Sequence, residues 1–139
     1  GDVDRLNALG ARVRLVKGAY NEPDSVAHQR LEDVNAAFVA LARTLLDRNP
    51  YPAIATHDPA MGDAVKAHAE ARGIGRDRFE FQMLYGIRRD LQTALLAERY
   101  KVRVYVPFGR QWFPYFMRRL GERPANVAFV LRGILRDRQ

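Results

Sequence analysis

One pattern recurs four times along this chain and limits its fold more than any other feature. A short apolar or alternating run reads as a strand, a polar or glycine-bearing tip follows, and a helix start comes next. The runs are residues 13–19, with Gly18 and Ala19 at the tip, 52–56, with Thr56-His57-Asp58 at the tip, 79–84, closed by Tyr85-Gly86, and 102–106, closed by Pro107 and Gly109. Strands alternating with helices predict βαβ units around a parallel sheet, with right-handed crossovers. Four such units amount to half of a (βα)8 barrel, and 139 residues is about half of the ~250 typical of one. Chemistry in a barrel sits at the strand C-termini, so the four tips are the places to look.

The helices are marked by spacing and by caps. Residues 1–11 read as the end of a helix carrying Leu6 and Leu9 and closing at Gly10. Pro23 suits a first helical position, and Val26, Val34, Phe38, Leu41 and Leu45 recur at helical spacing. These predict a helix of about six turns from Pro23 to Asp47, ended by Asn49-Pro50. Asp58 and Pro59 form a cap and first residue for a helix running to about Arg72 and stopping at Gly73. Ile87, Leu91 and Leu95 mark another, to about Arg99. Residues 111–120, with Trp112, Tyr115, Phe116, Arg118 and Arg119, predict a short helix broken by Gly121. A last helix is expected from Pro124 or Asn126 through Leu135.

Composition removes several function classes. No apolar run approaches ~18 residues, so no membrane span is expected. The polar opening, with Asp2, Asp4 and Arg5, predicts no signal peptide. Cysteine is absent, which excludes disulfides, thiolate metal sites and cysteine nucleophiles. The net charge of +7 favours anionic partners, or simply a solvated basic surface. The basic residues are scattered apart from Arg88-Arg89, Arg118-Arg119 and the tail, and no nucleic-acid-binding motif accompanies them, so nucleic acid is not expected. Neither Gly-x-Gly-x-x-Gly nor a P-loop is present. A metal centre is not expected either, since three histidines gather no ligand set; His28 and His68 are expected in mid-helix, solvated.

The tips carry unusual residues for a buried strand. Arg14 and Lys17 interrupt an aliphatic run without sharing a strict period of two. An inward arginine is costly unless it meets an anion, so each side chain marks either a ligand or an ion pair with a neighbouring strand. Gly18 permits close backbone approach, or a tight turn. His57 suits an acid, a base, a ligand contact or a plain loop position. Tyr115 lies one helical turn before Arg118, so a phenol and two guanidiniums can face one site. That is a carboxylate clamp, or an exposed basic pair.

Taken together, Arg14-Leu-Val-Lys-Gly-Ala-Tyr20, Thr56-His57, Phe81-Gln-Met-Leu-Tyr-Gly86, Val102-Arg-Val-Tyr-Val-Pro-Phe-Gly109 and Tyr115-Phe-Met-Arg-Arg-Leu-Gly-Glu122 resemble the proline dehydrogenase family. The likeness covers essentially the whole chain and is to the C-terminal half of the catalytic barrel, in a form closer to a bacterial single-function enzyme than to the large fused proline-utilisation protein. It implies an α/β fold, the second half (strands five to eight) of a distorted (βα)8 barrel. It also implies non-covalently bound FAD, oxidation of L-proline to 1-pyrroline-5-carboxylate, and electron transfer to a quinone. A cytoplasmic protein with peripheral contact to the inner face of the cell membrane follows from that.

Carried over by position, the resemblance gives Arg14 a catalytic place beside flavin N5, where positive charge stabilises a reduced, anionic flavin. It gives Lys17, Gly18, Ala19, Thr56 and His57 to FAD binding. Arg118 and Arg119 hold the proline carboxylate, Leu84, Tyr105 and Tyr115 wall the proline ring, and Glu122 steadies the covering helix or the cofactor region. The family's early-strand lysine and aspartate have no counterpart in residues 1–139. The expectation is therefore a fragment, or one half of a barrel completed by the missing N-terminal half or by a second chain, with two unpaired strand edges and an apolar inner face. The rival expectations are a catalytically inert half-barrel interaction subunit, and a phosphate-ligand-binding barrel built on Lys17.

Overall fold

The computed structural model describes residues 1–17, 22–106 and 108–109. The order is α1 (Asp2–Ala8), β1 (Arg14–Val16), α2 (Leu31–Arg48), β2 (Ala53–Ala55), α3 (Pro59–Ala71), β3 (Glu80–Leu84), α4 (Arg89–Ala97) and β4 (Lys101–Tyr105). The strands form one sheet in the order β1-β2-β3-β4, all parallel. Sequence order and spatial order coincide, which is how consecutive units of a (βα)8 barrel are laid out. β1 and β4 are the edges of this sheet among the described residues. The expected helices over residues 111–120 and beyond 124, and Gly18, Ala19, Tyr115, Arg118, Arg119 and Glu122, lie outside the described residues.

The register shows which face each residue takes. Leu15, Ile54, Phe81 and Val102 lie side by side across the four strands. This row packs on Phe38, Ala42 and Leu45 of α2, Met61 and Val65 of α3, and Leu95 of α4. Phe79, Phe81 and Tyr100 close the layer with ring centroids 5.5–5.7 Å apart, two of the three pairs edge to face. Edge-to-face rings gain from the quadrupole as well as from burial. Because strand side chains alternate, Arg14, Ala53, Glu80 and Lys101 form a row on the second face, and Val16, Ala55, Gln82 and Arg103 form the next.

The helix boundaries follow local chemistry. Asp58 accepts a hydrogen bond from the Ala60 amide at 3.1 Å and Pro59 opens α3, as the sequence predicts. Gly73, at φ +65°, takes the left-handed turn that ends it. The second helix departs from expectation. It begins at Leu31, not at Pro23. Residues 23–27 instead form a turn, with the Val26 and Ala27 amides on the Pro23 carbonyl at 3.0 and 3.2 Å. The Gln29 side chain then donates to the Glu22 and Ala27 carbonyls. Val26 is 71% exposed, so the apolar stripe that counted it had no core to face. His28 lies in this loop, and not in a helix. His68 is on α3 but is not merely solvated: its Nε2 is 3.0 Å from Asp47 Oδ1 of α2.

Candidate functional site

The second face of the sheet and the C-terminal ends of its strands hold most of the chemistry. Low on that face, β2 offers only the short side chains of Ala53 and Ala55. Arg14 and Val16 stand on one side of them, Glu80 and Gln82 on the other. Glu80 is buried and held by three side chains. Arg103 Nε and Nη2 donate to its two oxygens at 2.6 and 2.9 Å, Gln82 Nε2 donates at 2.6 Å, and Tyr51 Oη lies at 3.4 Å. The Arg103 bond, then that of Gln82, outweighs desolvation and holds the Glu80 carboxyl below its ordinary range. Tyr51 in turn lies between the cations of Arg12 and Lys101, each about 5 Å from its ring centre. Arg14 is the contrast. It is exposed, and among the described residues it has no side-chain hydrogen bond or ion pair. The expected apolar inner face is thus corrected: the apolar members Val16 and Tyr105 are interleaved with charge, because these strands place Arg14, Glu80, Lys101 and Arg103 on the side away from the helices.

At the strand ends, three connections order the mouth. Lys17 Nζ donates to Asp58 Oδ2 at 2.8 Å, bridging the ends of β1 and β2. This bond lowers the Asp58 pKa, with help from the lysine charge and the α3 amides. Lys17 therefore does have the ion-pair partner that the sequence left open. Thr56 Oγ1 accepts from the Asp58 amide at 3.1 Å and fixes the turn from β2 into α3. His57 Nε2 accepts from the Leu84 amide at 2.8 Å, bridging β2 and β3. A backbone N–H can bond Nε2 only when that nitrogen is unprotonated, so a neutral ring here carries its proton on Nδ1. Burial, and secondarily the Arg88 charge, push the His57 pKa below its ordinary value.

The structure brings Lys17, Thr56, His57 and Leu84 together at one end of the sheet and sets Tyr105 beside Leu84 on the neighbouring strand. Arg14 lies lower on the second face. Sequence reasoning placed Gln82 at a strand tip without a role and gave no site role to Arg88, Glu80 and Arg103. The usable signal for the last two was a carboxylate and a guanidinium in alternating strands, where each must find a partner. A groove of about 820 Å³ opens at the opposite end of the sheet, between the segments that lead into β2 and β3, away from all of these residues. Among the described residues no group of three or more His, Asp or Glu side chains is placed to hold a metal ion, and no helix is long and apolar enough to cross a membrane.

A parallel α/β layer with polar groups converging at the strand C-termini defines a βα-repeat protein of the barrel type. The family profile described as "Proline dehydrogenase" matches residues 5–132, and the chain belongs to that family. It is 51% identical, over 98% of its length, to proline dehydrogenase of Deinococcus radiodurans. It is 48% identical, over 96% of its length, to proline dehydrogenase 2 of Bacillus subtilis strain 168. It spans 44% of the length of each of those two relatives. Among solved structures it superposes on proline utilization A from Bdellovibrio bacteriovorus, inactivated by N-propargylglycine. That match has a TM-score of 0.78 and 28% identity, covering 86% of this chain and 14% of that one.

Proposed function

We propose that this chain forms part of an FAD-dependent proline dehydrogenase. Its sheet supplies the second half of the barrel, and further βα units, from the same polypeptide or another, cover the edges of β1 and β4. The observation that carries the reading is Arg14: a strand guanidinium with no partner among the described residues, beside the short side chains of Ala53 and Ala55, in a chain of this family. These residues fit a flat ring that gains negative charge on reduction. A fixed positive charge at its edge would be matched, and β2 sets no side chain longer than alanine beside Arg14 and Val16.

When bound, FAD would take up the two electrons and the hydrogen leaving the ring carbon beside the proline nitrogen. The chain's own residues orient and charge the site. Arg14 offers fixed positive charge that needs no rearrangement during reaction. Lys17, Gly18, Ala19, Thr56 and His57 hold the cofactor; with Nε2 engaged by Leu84, His57 meets it as an Nδ1–H donor. Leu84, Tyr105 and Tyr115 wall the proline ring, and Arg118 and Arg119 take its carboxylate in bidentate fashion. The electrons pass to a quinone, reached by peripheral contact from the cytoplasmic side of the membrane. The absence of a P-loop weighs against the rival phosphate-binding barrel.

The test uses the complete protein. It should be yellow with bound flavin and should reduce a quinone analogue when given L-proline. Arg119→Met should raise the Michaelis constant for proline by about 10²-fold, on the order of 2.7 kcal/mol, with the flavin spectrum unchanged. A colourless protein inert toward proline would overturn the reading, and unchanged proline kinetics in Arg119→Met would remove the clamp.

A further inference from the structure

Arg88 belongs to none of the motifs above, yet its placement is unusual. Its backbone is left-handed, φ 51° and ψ 53°, at the N-cap of α4. A side chain bearing a Cβ adopts that conformation at a cost, and it persists where surrounding contacts dictate it. Here they do. Asp90 grips the guanidinium through Nε and Nη2 at 2.9–3.1 Å. Nη1 lies 3.5 Å from the His57 carbonyl oxygen. The side chain is only 22% exposed. The same turn is tied down by Gln92, whose Nε2 donates to the Leu84 and Ile87 carbonyls at 3.3 and 3.0 Å.

We infer that Arg88 is a positioning residue of the mouth: gripped by Asp90, it sets its cation against the His57 loop so that the imidazole stays a neutral acceptor for the Leu84 amide. The chain of contacts runs Asp90, Arg88, His57, Leu84, from the first turn of α4 across to the end of β2 and back to the end of β3. It settles three things at once. It fixes where β2 ends, it fixes the height of Leu84, and it leaves Nδ1–H as the one donor that the His57 ring presents outward. Protonation of Nε2 would replace the Leu84 hydrogen bond with two opposed N–H groups. Two features guard against that, namely burial of the ring and the Arg88 charge. Among the described residues the nearby carboxylates do not cancel them. Asp58 is matched by Lys17 from β1, and Asp90 by Arg88 itself. The consequence for catalysis rests on the proposed reading, in which His57 meets the cofactor and Leu84 the substrate ring. The positioning does not rest on it.

The experiment is NMR of the complete protein with labelled histidine, together with hydrogen exchange at the Leu84 amide. Arg88→Gly removes the side chain while easing the left-handed backbone, so folding is not put at risk by strain. In Arg88→Gly the His57 ring should protonate at a higher pH than in the parent, since one of the two causes that lower its pKa is gone. Near pH 6 the Leu84 amide should exchange several-fold faster, and Arg88→Lys, which keeps the cation, should restore most of the His57 midpoint. A purely structural role would lower global stability and leave that midpoint in place. An Arg88→Gly protein whose His57 midpoint and Leu84 exchange both match the parent overturns the inference. Neither readout needs flavin or proline, so this outcome is separate from any failure of the proposed reaction.

Discussion

The two faces of this sheet are built from the same strands and have been finished differently. Toward the helices, Leu15, Ile54, Phe81 and Met83 meet aliphatic and aromatic side chains and are almost wholly buried. Toward the second face, Arg14, in the same row as the buried Glu80, remains exposed, as do Val16, Arg103 and Tyr105 above it. The helix side is a completed core whose worth is stability. The second face has only its lower part completed, by Glu80, Arg103, Gln82 and Tyr51. Above that floor, groups capable of binding stand open. A face left in that condition is suited to a ligand and to further strands, whereas a core face is suited to nothing but packing.

The largest effect expected from breaking this comparison lies on the helix side. Phe81 is fully buried against Phe79 and Tyr100. Phe81→Ala should cost about 3–5 kcal/mol, from lost transfer energy and the cavity left behind. Denaturant unfolding of the complete protein checks it. A cost under about 1 kcal/mol would mean that the layer is far more plastic than its packing implies.

The next effect lies on the second face and should appear in a different currency. Arg14→Met should leave unfolding within about 0.5 kcal/mol of the parent, as expected for an exposed side chain outside any network. Proline oxidation should nonetheless fall by about 10²- to 10³-fold, the scale for removing one preorganised electrostatic group. If Arg14→Met instead destabilises the fold and leaves turnover intact, the guanidinium is structural and the contrast between faces fails at its most important residue.

How much of this was legible in the sequence depends on which face a residue serves. The core face was readable because it obeys periodicity: the four strands, the Asp58 cap and the Gly73 stop follow from alternation and turn chemistry alone. The start of α2 was not, because Val26 is spaced like a helix face but meets no core, and the turn at Pro23 closes on itself. On the second face, the identities of Arg14, Lys17 and His57 were conspicuous, yet their partners are long-range. Lys17 and Asp58 are 41 positions apart, and His57 and Leu84 are 27. Nothing in local pattern encodes such a pairing. Arg88 was visible only as one of two adjacent arginines, since its left-handed backbone is a tertiary fact.

The smallest effect sits on the border between the two faces and is the sharpest test of it. Lys17 pairs with Asp58, with the two side chains 14% and 37% exposed. An ion pair this close to solvent contributes about 0.5–1 kcal/mol. The Asp58 carboxyl has its pKa lowered chiefly by the bond from Lys17. A carboxyl lowered in the folded state stabilises the protein above its unfolded value, near 4, and that contribution is lost as pH falls through the lowered folded value. Lys17→Met raises the folded value back toward the ordinary one, so the variant should be less stable than the parent at pH 6, with the difference closing as pH falls through the parent's lowered folded value. Asp58 would still cap α3 through the Ala60 amide, which keeps the helix start intact in both. Flavin retention then assigns the residue to one face or the other. If Lys17→Met shows only the pH-dependent loss of stability, the lysine is a strut between β1 and β2. If flavin binding also weakens by about tenfold, roughly 1.4 kcal/mol and more than the pair itself is worth, the same ammonium group serves both the turn of the chain and the ligand above it.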